Sequence, residues 1–125
     1  MTQTNETIVT NFIREFDSPA PDPEKVGAYF TDDAVYHNIP MAPVVGKAAI
    51  MATVGGWKAM MLSQGREVKH QLAAGDVVMN ERIDRFKAGD KLVELPVVGV
   101  FELRDGKISA WRDYFDLAQF RSEMG

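Results

Sequence analysis

Residues 66–115 read REVKHQLAAGDVVMNERIDRFKAGDKLVELPVVGVFELRDGKISAWRDYF, and this stretch decides the fold. Three turn signals, Ala74-Gly75-Asp76, Ala88-Gly89-Asp90 and Arg104-Asp105-Gly106, divide it into β-rich runs near residues 66–73, 76–86, 91–104 and 107–117. Runs joined by such tight turns fold back on one another, which predicts an antiparallel meander. Before Gly65 the texture is helical. Ile8, Val9, Phe12, Ile13 and Phe16 form one apolar stripe, with Thr4 or Asn5 as the cap. The prolines of Ser18-Pro19-Ala20-Pro21-Asp22-Pro23 break that helix. Asp22 before Pro23 then starts a short second helix carrying Val26, Tyr29 and Phe30.

Ala34-Val35-Tyr36-His37-Asn38 reads as a short strand running into the irregular loop Ile39-Pro40-Met41-Ala42-Pro43. Gly46 to about Leu62 reads as a third helix, weakened by Gly55 and Gly56. Helices first and antiparallel strands afterwards is the pattern of an α+β domain, with helices covering one face of the sheet. The chain of 125 residues has the size of one ordinary domain, so residues 1–125 are expected to form a single unit. There is no internal repeat or low-complexity segment.

Composition then excludes several kinds of chemistry. The absence of cysteine removes disulfide scaffolds, thiolate metal sites and cysteine nucleophiles, and two histidines, His37 and His70, are too few for a histidine-rich metal site. Fourteen Lys and Arg against eighteen Asp and Glu give a net charge of −4, and the basic residues are scattered. A nucleic-acid partner is not expected, because phosphate binding needs a basic stripe. No apolar segment approaches the roughly 20 residues that span a bilayer. The start, MTQTNETIVTNF, has neither the basic flank nor the apolar stretch of a signal peptide, so no membrane partner and a cytoplasmic location are expected.

Polar residues on strands that ought to be apolar mark the candidate site. Alternation places Val78, Asn80, Arg82, Asp84 and Phe86 on one face, leaving Met79, Glu81, Ile83 and Arg85 on the other. Hydrophobicity alone does not decide which face is buried, and a solvated charge run is an open alternative. Trp111, Asp113 and Phe115 share a face, so Asp113 points into an apolar region and needs a partner. That partner makes it either a structural ion pair or a catalytic carboxylate. Tyr36 and Asn38 also share a face. His37 points the other way, as an interface or surface histidine, and His70 is expected to be structural.

Together, Tyr36-x-Asn38 before a proline loop, Glu81-Arg82-Ile83-Asp84, and Gly99-Val100-Phe101 leading to Trp111-Arg112-Asp113-Tyr114-Phe115-Asp116 resemble the limonene epoxide hydrolase family. Order and spacing match from the Phe12 helix to Phe120, with a shorter start and a shorter Lys87–Lys91 turn. The resemblance implies an α+β cone of the nuclear-transport-factor-2-like, or cystatin-like, kind: a curved mixed or antiparallel sheet with about three N-terminal helices closing a deep pocket. It implies an Asp-Arg-Asp triad, with Asp113 as general base on a water held by Tyr36 and Asn38. Asp84 is then the general acid on the epoxide oxygen, and Arg82 bridges the two. Two carboxylates, one arginine and one proton sum to zero charge, which a low-dielectric pocket tolerates. No metal or organic cofactor is implied.

By the same resemblance the wall comprises Ile13, Phe16, Trp57, Met61, Phe86, Leu95, Val97, Phe115 and Phe120. For each of these, plain core packing is the alternative. The expected partners are a small hydrophobic epoxide, water and a second copy of the chain in a homodimer paired through its sheet. The expected reaction is one-step hydrolysis of a cyclic or terpene-like epoxide to a vicinal diol. Two other classes remain open: a ketosteroid-isomerase-like or polyketide-cyclase-like enzyme of the same fold, and a non-catalytic small-ligand-binding module.

Overall fold

The structure, a computed structural model, describes residues 4–124. Helix α1 (Asn5–Arg14) is capped by Thr4, whose hydroxyl accepts from the Thr7 backbone N–H at 3.2 Å, and runs into a 3₁₀ turn at Glu15–Asp17. Helix α2 (Pro23–Gly27) is capped by Asp22, which accepts from the Glu24 N–H at 2.9 Å. It ends before Tyr29 and Phe30, which the sequence pattern predicts within it. Gly27 lets the following helix approach closely, since a Cβ there would lie 2.5 Å from Met51 Sδ, and Phe30 already pairs as a strand residue with Ile108.

Strand β1 (Phe30–Asn38) is followed by a two-residue edge strand, β2 (Val44–Val45), that the proline loop concealed. Helix α3 (Lys47–Gly56) stops at its paired glycines instead of reaching Leu62, and a 3₁₀ turn at Trp57–Ala59 ends it. The meander follows: β3 (Leu62–Ala74), β4 (Val77–Ala88), β5 (Lys91–Arg104) and β6 (Lys107–Tyr114). A fourth helix, α4 (Leu117–Met124), follows the last strand, beyond the run near 107–117, in a stretch for which the sequence predicts no element. Asp116 nucleates it by accepting from the N–H groups of Ala118 at 2.9 Å and Gln119 at 3.2 Å.

The six strands form one curved, open, mixed sheet in the order β2-β1-β6-β5-β4-β3. All neighbours are antiparallel except β1 and β6, whose parallel pairing sets Tyr36 opposite Trp111 and Asn38 opposite Asp113. The inner face packs against α1, α2 and α3. Phe12 sits at the centre of that core, wholly buried, with edge-on contacts to Phe16, Phe30 and Trp111 at centroid distances of 5.4, 5.4 and 4.9 Å. A smaller cluster of Val93, Leu95 and Val97 lies under Phe86, Phe115 and Phe120, with Phe120 supplied by α4. Between the two clusters the inner face is left open. Among the described residues no helix is long and apolar enough to cross a membrane.

Candidate active site

The face left undecided by hydropathy is settled by burial: Val78, Asn80, Arg82 and Asp84 point inward, and Met79 and Glu81 are exposed. Arg82 has no solvent exposure at all. Its guanidinium makes a two-pronged contact with Asp84, Nε donating to Oδ1 at 2.9 Å and Nη2 to Oδ2 at 3.0 Å. The same Nη2 lies 3.1 Å from Asp113 Oδ2, and Nη1 donates to Asn80 Oδ1 at 2.8 Å. Asp113 also accepts from Trp111 Nε1 at 2.9 Å. Arg82 and Asp84 on β4 and Asp113 on β6, singled out on two different strands, are therefore brought together.

Arg82 and Asp113 stand two strands apart, on β4 and β6, and the strand between them must leave room for the contact. Gly99 on β5 pairs with Asn80 on one side and Asp113 on the other. A Cβ at Gly99 would run into Arg82 Nη1 and lie 3.0 Å from both Asn80 Oδ1 and Asp113 Oδ1. The glycine is the passage through which the guanidinium reaches across the sheet. Asn80 is oriented in turn, its Nδ2 donating to Gln71 Oε1 at 3.2 Å while Gln71 Nε2 donates to Thr10 on α1 at 3.1 Å. Both Gly99 and Asn80 were visible in the sequence, the one within a quoted motif and the other on the right face, without a reason for either.

A cavity of about 610 Å³ opens on this group. Asp84, Tyr36 and Asn38 reach its wall, while Arg82 and Asp113 lie behind it. Tyr36 stacks on Trp111 with ring centroids 3.8 Å apart and donates to Asn38 Oδ1 at 3.1 Å. Of the expected apolar wall, Phe16, Trp57, Met61, Phe86, Leu95, Val97, Phe115 and Phe120 line the cavity. Ile13 does not: it packs into the main core at 3% exposure, on the same stripe as Ile8, Val9 and Phe12. Met41, Met60 and Met124 also line the cavity and had not been singled out. His37 is half-buried and bonds to the Met41 carbonyl oxygen at 2.8 Å. His70, expected to be structural, is instead an exposed side chain.

The residue most clearly missed is Arg66. Its Nε lies 3.6 Å from Asp84 Oδ2 and its guanidinium stacks on Phe16, Cζ 3.8 Å from the ring centroid. The signal was the isolated Gly65 in a strand-like run, the mark of a bulge. Gly65 adopts φ +91°, and the β3–β4 register shifts between Ser63 and Arg66, so that Arg66 stands opposite Asp84. Arg66 brings a second positive charge, so the buried group is neutral with both carboxylates ionised.

Burial raises Asp113 above the ordinary carboxylate range despite the pull of Arg82 and Arg66, and the Asp84 charge adds to the rise. Burial acts the same way on Asp84, but Arg66 and Arg82 outweigh it and hold that carboxyl low. The two carboxyls titrate as one coupled pair. Burial and the Asp113 charge push the Tyr36 phenol upward, keeping it a neutral donor. Burial opposes the Arg82 charge, yet Asp113 and Asp84 more than compensate and it stays a cation. Among the described residues no group of three or more histidine or acidic side chains could hold a metal ion.

Comparison with known structures first defines the class. The chain superimposes with a TM-score of 0.83 on a protein with a ketosteroid-isomerase-like fold from Catenulispora acidiphila DSM 44928, at 20% identity over 100% of this chain and 95% of that one. The epoxide hydrolase/cyclase-like enzyme SalBIII gives 0.79 at 19% identity, over 92% of each chain. At such identities the likeness is one of fold, the nuclear-transport-factor-2-like α+β cone. Residues 4–124 match the family described as the limonene-1,2-epoxide hydrolase catalytic domain, and the chain belongs to that family. It is 38% identical over 96 residues to epoxide hydrolase EphG of Mycobacterium tuberculosis (strain ATCC 25618 / H37Rv), a match spanning 75% of this chain but 62% of that protein. It is also similar to the structure of an M. tuberculosis LEH-like epoxide hydrolase: TM-score 0.83, 28% identity, 96% of this chain and 88% of that chain.

The passage at Gly99 makes a direct prediction. Gly99→Ala should destabilise the protein by about 1–3 kcal/mol in urea unfolding, the usual cost of overpacking a core. An alanine variant as stable as the wild type would show that Arg82 does not need this route.

Proposed function

We propose that this protein is an epoxide hydrolase that adds water to a small hydrophobic epoxide, cyclic or terpene-like, to give a vicinal diol in one step. The observation carrying the reading is the buried Arg82 held between Asp84 and Asp113 at the polar end of an apolar cavity. An epoxide opens readily once its oxygen receives a proton, so an acid and a base are needed on opposite sides of the reacting carbon. Asp84, on the cavity wall, gives its proton to the epoxide oxygen as the carbon–oxygen bond breaks. Asp113 takes a proton from a water held by Tyr36 and Asn38 as that water's oxygen bonds to carbon. One proton leaves the pair and one returns, so its total charge is unchanged and no ester to aspartate forms. Arg82 fixes the two carboxylates and neutralises the charge that passes between them.

The upward push of burial on the Asp113 carboxyl favours a second reading in which the roles are exchanged. Binding itself supplies the correction that the first reading needs. An acceptor oxygen beside Asp84 favours its protonated form, and a water donating to Asp113 favours its ionised form. A ketosteroid-isomerase-like reaction needs one carboxylate base and an oxyanion donor, and an arginine tying down two aspartates fits it poorly.

Asp84→Asn and Asp113→Asn should each lower diol formation from a panel of epoxides by at least about 100-fold while leaving the fold intact. Azide, which needs no base, should restore turnover to Asp113→Asn as an azido alcohol and leave Asp84→Asn inactive. Rescue of the other variant would exchange the roles. Absence of diol from any epoxide, with isomerisation of an enone, would replace hydrolysis altogether.

The reading includes a homodimer paired through the sheet. Leu72, Met79, Val98 and Tyr114 are exposed on the outer face, where Leu72 pairs with Met79 and Val98 with Tyr114. Sedimentation should give twice the chain mass, reduced to one chain by Val98→Lys; a monomeric wild type would remove the dimer from the account.

A further inference from the structure

We propose that Arg66 is a further functional residue of this site, a positioning cation that acts through Asp84 and fixes the charge state in which the carboxylate pair works. The proposal rests on the hydrolase reading above.

Arg66 is placed by a built device. Gly65, in a left-handed conformation, adds one residue to β3 between the Ser63–Phe86 and Arg66–Asp84 pairs. Without that insertion Gly65 would occupy the place opposite Asp84; with it, a guanidinium does. The cation is then held by stacking, with Cζ 3.8 Å from the Phe16 centroid and 5.5 Å from that of Trp111. Its Nη1 is buried without a hydrogen-bond partner. Asp84 is the one carboxylate within 4.0 Å of its nitrogens among the described residues, and both side chains of this pair are 11% exposed. Asp17 approaches Gly65 and makes no ion pair with Arg66.

A purely structural filler at this place would be better served by an apolar side chain on Phe16, because an incompletely paired guanidinium is costly to bury. What the charge alters is the carboxylate pair. The charged and titratable groups facing Asp84 are Arg66 from β3, Arg82 on its own strand, Asp113 from β6 and Tyr36 from β1; β5 presents Leu95. With Arg82 alone, the pair and one proton are neutral. With Arg66 added, the same protonated pair carries +1, so it gives up its last proton at lower pH. Because acid/base hydrolysis needs that proton, Arg66 sets the alkaline edge of activity.

The test follows the aspartate carboxyl carbons by NMR across pH in the wild type, Arg66→Gln and Arg66→Lys, with Asp84→Asn and Asp113→Asn used for assignment. In Arg66→Gln, loss of the pair's last proton should move upward by about one pH unit or more, as expected for removing a cation within about 4–6 Å. Arg66→Lys should stay nearer the wild type, and the alkaline limb of diol formation should move with the titration. Should the glutamine variant fail to fold, Arg66→Met keeps a long stem against Phe16 and repeats the measurement without charge. An unmoved titration in a folded, uncharged variant overturns the proposal whatever the activity. A moved titration with no diol from any epoxide leaves Arg66's hold on the pair standing and overturns the hydrolase reading instead.

Discussion

Arg82 is a cation with no solvent exposure in the middle of a small domain, and the rest of the structure is arranged around that fact. Removing a guanidinium from water costs several kcal/mol unless its donors and its charge are both met. Asp84 and Asp113 meet the charge, while Asn80 takes the nitrogen facing away from them. Each partner has its own support: Asn80 through Gln71 to α1, and Asp113 through the Trp111 indole. Gly99 gives up a side chain so that the contact can cross a strand. The parallel pairing of β1 with β6 then lays Asn38 beside Asp113 and Tyr36 over Trp111.

This arrangement joins stability to chemistry. Trp111 belongs to the aromatic core through Phe12 and to the site through Asp113, so core packing holds a carboxylate in place. Phe16 does the same on the other side, making an edge-to-face contact with Phe12 and lying with its face under Arg66. The carboxylates are buried and meet the cavity through Asp84, beside Tyr36 and Asn38. In such a place the position of a single charge decides which carboxyl is protonated, and the two guanidiniums share that control.

Much of this was legible in the sequence because strand alternation is a strict rule. Arg82, Asp84 and Asp113 could be placed on definite faces, and two aromatics flanking Asp113 marked it as buried. The N-caps at Thr4 and Asp22 were equally readable, since they depend on residues a turn away. What stayed hidden depends on contacts between distant segments. The parallel β1–β6 pair joins residues more than seventy positions apart, and nothing in Phe30 announces that it pairs with Ile108 instead of continuing α2. Arg66 was hidden for a subtler reason. A one-residue bulge changes the face of every residue beyond it, so plain alternation could not place it opposite Asp84. Helix α4 was lost because Asp116 serves both as the end of a strand motif and as the acceptor that starts the helix.

The central claim is that the Arg82-linked aspartates move protons and never form a bond to the substrate. A single turnover in ¹⁸O-labelled water, with protein in excess over epoxide, tests it most directly. Direct attack by water predicts one labelled oxygen in all of the diol formed and no label in the protein. Unlabelled diol accompanied by ¹⁸O in the carboxyl of Asp84 or Asp113 would contradict it, because the oxygen would have come from an aspartyl ester.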